Sequence, residues 1–135
     1  MVVDASVLVH MLLRTPLAEA VDRKLFESRR TLHAPHLLDI EVAQVVRRYV
    51  AGGEIDAPRG RTMLEYLALL GVERYPHGFL LPRVWELRHN LTAYDAVYVA
   101  LAEALDAPLV TGDLRMAAVA ERLVKVEVVG PSGAG

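Results

Sequence analysis

The chain contains no cysteine. A disulfide framework, thiolate zinc sites and thiol nucleophiles are therefore excluded. Lysine is almost missing as well: Lys24 and Lys125 stand among 15 basic residues, and the rest are arginine. Arginine suits bidentate phosphate contacts. Only one Trp and two Phe are present, so extensive base stacking on aromatic rings is not expected. No apolar run approaches the roughly 20 residues of a membrane span. The start Met1-Val2-Val3-Asp4 has neither the basic opening nor the apolar core of a signal peptide. The expectation is a cytoplasmic protein with no membrane association. Seventeen acidic residues against 15 basic give a formal net charge of -2. A basic nucleic-acid coat is ruled out, and any attraction for phosphate must be local.

Hydrophobic residues make up 53% of the 135. That suits one domain, able to hide about two-thirds of the surface its unfolded chain exposes. The domain is expected over residues 1–129, with the glycine-rich stretch 130–135 as a frayed tail. Short apolar runs at Met1 to Val3, Leu32 to Ala34, Val72 to Tyr75, Leu109 to Thr111 and Val124 to Val129 suit buried strands. Helical patterns lie between them. One follows Pro16, with Leu17, Val21 and Leu25 spaced by four. Others run from Pro35 to Ala51, from about Ala57 to Leu70, from Pro82 to His89, from Thr92 to Leu105 and from Leu114 to Leu123. Strands alternating with helices predict an α/β fold with a parallel sheet covered on both faces. Ligands of such sheets bind beyond the carboxyl ends of the strands.

Four carboxylates sit where a carboxylate is costly. Asp4 ends the first strand, and Asp113 follows Leu109-Val110-Thr111-Gly112 at the end of another. Each has an ordinary reading as a helix cap. Glu41 has Leu37, Leu38, Gln44 and Val45 three and four positions away, so its neighbours on the helix are mostly apolar. Asp95 is the only charged residue from Ala93 to Ala102, although Thr92-x-x-Asp95 also matches a capping box. An unpartnered carboxylate in so apolar a helix would cost several kcal/mol, on the order of a poorly solvated ion. If the four converge, their repulsion raises their pKa values. A divalent cation would relieve it, and oxygen-only donors favour Mg2+ or Mn2+. Asp39, in a first helical turn, is accounted for by the helix dipole. His10, His33, His36, His77 and His89 show no metal-ligand spacing and read mostly as strand, loop and surface residues.

Val2-Val3-Asp4-Ala5-Ser6-Val7-Leu8, the helical Glu41, Leu91 to Ala102 with its Thr92-Ala93-Tyr94-Asp95-Ala96, and Thr111-Gly112-Asp113 occur in a distinctive order. Together they resemble the PIN-domain ribonucleases, in particular the VapC toxins of toxin–antitoxin modules. The resemblance spans nearly the whole chain. It implies a three-layer α/β/α fold and a metal site made of Asp4, Glu41, Asp95 and Asp113, with Ser6 and Thr111 as supporting hydroxyls. Some members carry one more acid after the last aspartate. Here Arg115, Met116 and Ala117 follow instead, which leaves the number of metals open. The resemblance also implies a homodimer and an antitoxin that blocks the site.

The activity so implied is Mg2+-dependent endonucleolytic hydrolysis of RNA. Arg14, Arg47, Arg48, Arg59, Arg61 and Arg115 are candidate phosphate contacts, each with an ordinary alternative on a solvated helix face. Leu8, Leu12, Leu13, Val45, Val46 and Tyr49 offer apolar area beyond what a small monomer comfortably exposes, for core packing first and partners second. Three other readings stand beside this one. A phosphatase with an aspartate nucleophile would need a second acid two residues after Asp4, where Ser6 stands. A PIN-like module that only binds, and a nuclease of RNA maturation, share the same acids.

Overall fold

The structure, a computed structural model, describes residues 1–27 and 29–130. Five short parallel strands form one sheet: β1 (Val2–Val3), β2 (Leu32–Pro35), β3 (Val72–Tyr75), β4 (Leu109–Thr111) and β5 (Val126–Val128), in the order β3-β2-β1-β4-β5. Val2, Val3, Leu109 and Val110 are completely buried, as the central strands of a sheet covered on both faces must be. Val2 pairs with Leu109 and Val3 with Val110, so β1 and β4 end level with each other. From β1 the chain winds outward to β2 and β3, then returns to add β4 and β5 on the other side. The winding therefore reverses between β1 and β4. Crossovers diverge at such a point and leave a crevice beyond the strand ends.

Among the described residues, seven α-helices complete the three layers: α1 (Ala5–Leu13), α2 (Ala18–Asp22), α3 (Leu37–Ala51), α4 (Ala57–Leu69), α5 (Leu81–Glu86), α6 (Ala93–Leu105) and α7 (Leu114–Ala120). The sequence pattern marked its first helix only after Pro16, and α1 is an addition. Val7 and Val9 are poor local helix formers. Burial of Val7, Leu8, Met11 and Leu12 on one side of α1 outweighs that preference. The helix after Pro16 is shorter than its spacing suggested. It continues as a π-helical turn over Arg23–Glu27, which still buries Leu25.

Helix α6 matches expectation most closely. Its residues 96–102 are all buried, and it packs across β1, β2 and β4. Helix α5 ends at Glu86 rather than His89, and a short 3-10 turn over Gly78–Leu80 precedes it. Helix α7 ends at Ala120, because Leu123 N and Val124 N both turn back to donate to the Ala120 carbonyl. Of the apolar residues weighed for partner contact, Leu8, Leu12 and Val46 are core, and Leu13 and Tyr49 pack half-buried against it. Apart from Gly130, the expected tail lies outside the described residues. Among the described residues no helix is long and apolar enough to cross a membrane.

Three ion pairs, centred on two carboxylates, pin the edges of the sheet. Arg74 on β3 grips Asp39 with Nε 2.8 Å from Oδ2 and Nη2 2.9 Å from Oδ1. The same guanidinium donates to the carbonyls of Val72 and Leu67. Asp39 thus ties α3 to β3 and the end of α4, a role that its first-turn position did not reveal. On the opposite edge, Glu127 of β5 accepts from Arg30 at 2.6 and 2.9 Å and from Lys24 at 3.1 Å. The Arg30 hydrogen bond, ahead of the Lys24 contact, pulls the Glu127 carboxyl down to about 2. A depressed carboxyl contributes stability above its unfolded pKa and loses it as pH falls through the folded value. Glu127→Gln is expected to cost about 1–2 kcal/mol at pH 7, between an exposed and a fully buried pair. That difference should shrink as pH falls from about 4.5 toward about 2, which urea titrations of both proteins across this range would read.

Candidate active site

Asp4 caps α1 and, among the described residues, is one of two buried polar residues, Thr111 being the other. Its Oδ1 accepts from Ser6 Oγ at 2.6 Å and from Val7 N at 3.3 Å, and its Oδ2 accepts from Thr111 Oγ1. The two hydroxyl oxygens are themselves held in place. Ser6 Oγ accepts from Gly112 N at 2.9 Å, and Thr111 Oγ1 accepts from Asp113 N at 3.0 Å. One carboxylate, two hydroxyls and two backbone N–H groups therefore lock the end of β1 to the end of β4. Burial pushes the Asp4 carboxyl up, while the hydrogen bonds from Ser6, Thr111 and Val7 pull it back.

The other three acids reach the same crevice from three helices. Glu41 lies in the second turn of α3, where Tyr98 Oη donates to its Oε1 at 2.6 Å. Tyr98 is 2% exposed and comes one turn after Asp95 on α6, so a buried phenol aims Glu41. Thr92 caps α6 by accepting from Asp95 N at 3.2 Å, and Asp95 lines the cavity. Asp113 caps α7, its Oδ1 accepting from Arg115 N and Met116 N at 2.9 and 3.1 Å. The capping roles legible in the sequence are all present, and so is the convergence. Asp4, Glu41, Asp95 and Asp113 line one cavity of about 310 Å3. Burial raises the Glu41 carboxyl, with the charges of Asp95 and Asp4 adding to it. Burial likewise raises Asp95, and Asp113 adds to that.

Tyr98 and His10 are the residues of this cavity that sequence reasoning missed. The signals were there. Tyr98 stands three positions after Asp95, and His10 four after Ser6, each on the face of its partner. His10 is thus neither strand nor loop but a half-buried helical residue on the cavity wall. Burial lowers the pKa of its ring. The arginines are dispersed. Arg115 is close enough for its charge to favour ionised Asp95. Arg48 lies seven positions after Glu41, two turns farther along the same stripe of α3. Arg14 pairs with Asp22 at 2.9 Å at the far end of α1. Arg47 binds Gln44 and, with Arg61, borders a separate groove between α3 and α4. Arg59 lies in the first turn of α4, its N–H bound by Asp56.

The donor set suits a hard divalent cation. The four acids offer only oxygen donors, and Asp113 Oδ2 makes no hydrogen bond among the described residues. The acids line the cavity rather than close on a point: among the described residues, no three His, Asp or Glu side chains form a ready-made cage. Mg2+ does not need one, since it keeps several waters and takes one or two carboxylates.

A family model for the PIN domain matches residues 1–122. The chain belongs to the PIN-domain family. Within that family it is 48% identical over 118 residues to Ribonuclease VapC1 of Mycobacterium tuberculosis, covering 87% of this chain and 88% of the relative. It is 44% identical over 128 residues to Ribonuclease VapC9 of the same organism, covering 95% and 97%. The crystal structure of VapBC2 from Rickettsia felis, bound to a DNA fragment from its promoter, superposes with a TM-score of 0.68 at 15% identity, covering 96% of this chain and 98% of that one. M. tuberculosis VapC20, described as a sarcin–ricin loop cleaving toxin, gives 0.68 at 14%, covering 87% and 93%. These likenesses confirm the VapC-type PIN fold that the sequence resembled.

In this PIN domain a carboxyl whose folded pKa is raised stabilises the fold below its unfolded pKa, and that stability is lost as pH rises through the folded value. In EDTA, Asp95→Asn is therefore expected to raise the melting temperature at pH 7 by a few degrees. The gain should fade as pH falls toward the ordinary aspartate value of 3.8. Thermal melts across that range check both the sign and the window.

Proposed function

We propose that the protein is a metal-dependent endoribonuclease, the toxin of a VapBC-type module, with Asp4, Glu41, Asp95 and Asp113 as its acidic site. The observation that carries this reading is their meeting in one cavity at the β1/β4 reversal point, from four separate parts of the chain. An RNA substrate agrees with the name ribonuclease borne by the VapC1 and VapC9 relatives. The solved VapBC2 complex supports an antitoxin partner. A homodimer belongs to the same reading.

Asp95, Asp113 and Glu41 would hold the cation, Mg2+ or Mn2+, with Asp4 at the base of the cavity. Bound there, the cation supplies Lewis acidity toward a phosphodiester and the countercharge that lets an acidic pocket receive an anion. The chain's own groups do the rest. Ser6 and Thr111 keep both Asp4 oxygens fixed, so the carboxylate cannot swing away. Tyr98 does the same for Glu41. Arg115, in the first turn of α7, is near enough for its charge to act on Asp95 and would meet an RNA backbone entering the cavity.

Purified protein is expected to cut RNA in Mg2+ or Mn2+ and to stop in EDTA. Asp95→Asn should lower cleavage by about 100-fold or more, as loss of charge stabilisation at a phosphoryl centre does. It should also remove most of the rise in melting temperature that Mg2+ gives the parent. Cleavage that persists unchanged in EDTA would falsify the metal reading. Metal binding without cleavage of any RNA would favour a module that only binds.

A further inference from the structure

His10 lines the acid cavity, and the reading above assigns it nothing. It lies one helical turn after Ser6 on α1. Its Nδ1 is 2.7 Å from Thr15 Oγ1. That oxygen also accepts from Leu17 N at 3.3 Å, and its own hydroxyl hydrogen is free to be given to Nδ1. An imidazole that accepts at Nδ1 carries its proton on Nε2. The Nε2 edge faces the β4–α7 turn: a Cβ placed on Gly112 would stand 3.7 Å from Nε2 and 3.6 Å from Cδ2. Burial lowers the ring's pKa and so favours the neutral form.

The side-chain hydroxyls of the cavity wall are committed. Ser6 gives its hydroxyl hydrogen to Asp4, and Tyr98 gives its own to Glu41. Among the described residues, His10 Nε2 makes no hydrogen bond, although four carboxylates line the same cavity. An acidic wall offers a phosphodiester acceptors only. A neutral N–H donor on that wall can bind a phosphate oxygen without displacing a cation or pairing with an acid. We propose that His10 donates from Nε2 to a non-bridging oxygen of the RNA phosphodiester in the cavity, and that Thr15 is the positioning residue that selects this tautomer. The inference rests on the ribonuclease reading and goes beyond it.

The test compares the full chain with His10→Phe, His10→Gln and Thr15→Val. The readouts are kcat and KM for RNA in Mg2+, the affinity for a phosphorothioate-linked RNA in Ca2+, Mn2+ affinity, and the 15N spectrum of the His10 ring. His10→Phe keeps the ring volume and removes the donor. It should raise KM and weaken RNA affinity about tenfold, the scale of one hydrogen bond to a charged group, with Mn2+ affinity unchanged. His10→Gln, which can present an N–H near the Nε2 position, should recover much of that loss. Thr15→Val should raise KM less than His10→Phe does and shift the ring out of the Nε2–H tautomer seen in the parent. A parent that cleaves RNA while His10→Phe matches it in KM and affinity would overturn the inference and leave the ribonuclease reading standing. So would an Nδ1–H tautomer in the parent, or a loss of Mn2+ affinity, which would make His10 a ligand. Should His10→Phe misfold, the Gln and Val variants and the 15N spectrum still decide. A parent that cleaves no RNA would sink the underlying reading instead.

Discussion

A single buried carboxylate organises this molecule. Asp4 sits where β1 gives way to α1, and both its oxygens are held by hydroxyls that are anchored in turn to the backbone after β4. Burying an ion is expensive unless its hydrogen bonds are made. Here they are made, and among the described residues no buried side-chain polar atom lacks a partner. The network does two things at once. It closes the seam between the two central strands, and it presents the base of the cavity with a charge that cannot turn aside.

Two of the remaining acids, Glu41 and Asp113, are fixed on one side and open on the other. Tyr98 holds Glu41 from within the core. The N-terminus of α7 holds one oxygen of Asp113. The result is a pocket whose members raise one another's pKa values: Asp4 and Asp95 act on Glu41, and Asp113 acts on Asp4 and Asp95. Such a site stores electrostatic strain that a bound hard cation would relieve, and a ligand that did so would stabilise the fold. Ion pairs at the two edges of the sheet, Asp39–Arg74 and Glu127 with Arg30 and Lys24, keep the outer strands and helices in register around that strain.

Much of the fold was legible because its signals are local. The five strands are short apolar runs set between helical patterns, and all five fall within or beside their expected bounds. The first helix was less visible, since Val7 and Val9 argue against it locally and only burial against the sheet decides for it. The ends of α5 and α7 slipped for a similar reason. Backbone bonds made after the helix, such as those to Ala120, set the stop. Asp39 looked like a dipole residue because its partner Arg74 is 35 positions away.

The sequence by itself determined the chemistry of the site: four oxygen-donor acids, no thiols, and small hydroxyls two positions after Asp4 and two before Asp113. Residue type and spacing along one element carry that information, because capping and strand-end positions are read from neighbours. The tertiary structure alone decided how those groups are aimed. Tyr98 reaches Glu41 across 57 positions, and Thr111 reaches Asp4 across 107. It also turned His10, grouped by its sequence with strand, loop and surface histidines, into part of the cavity wall. Such contacts follow from which strands lie side by side in the sheet, and strand order is a non-local property that spacing along the chain does not encode.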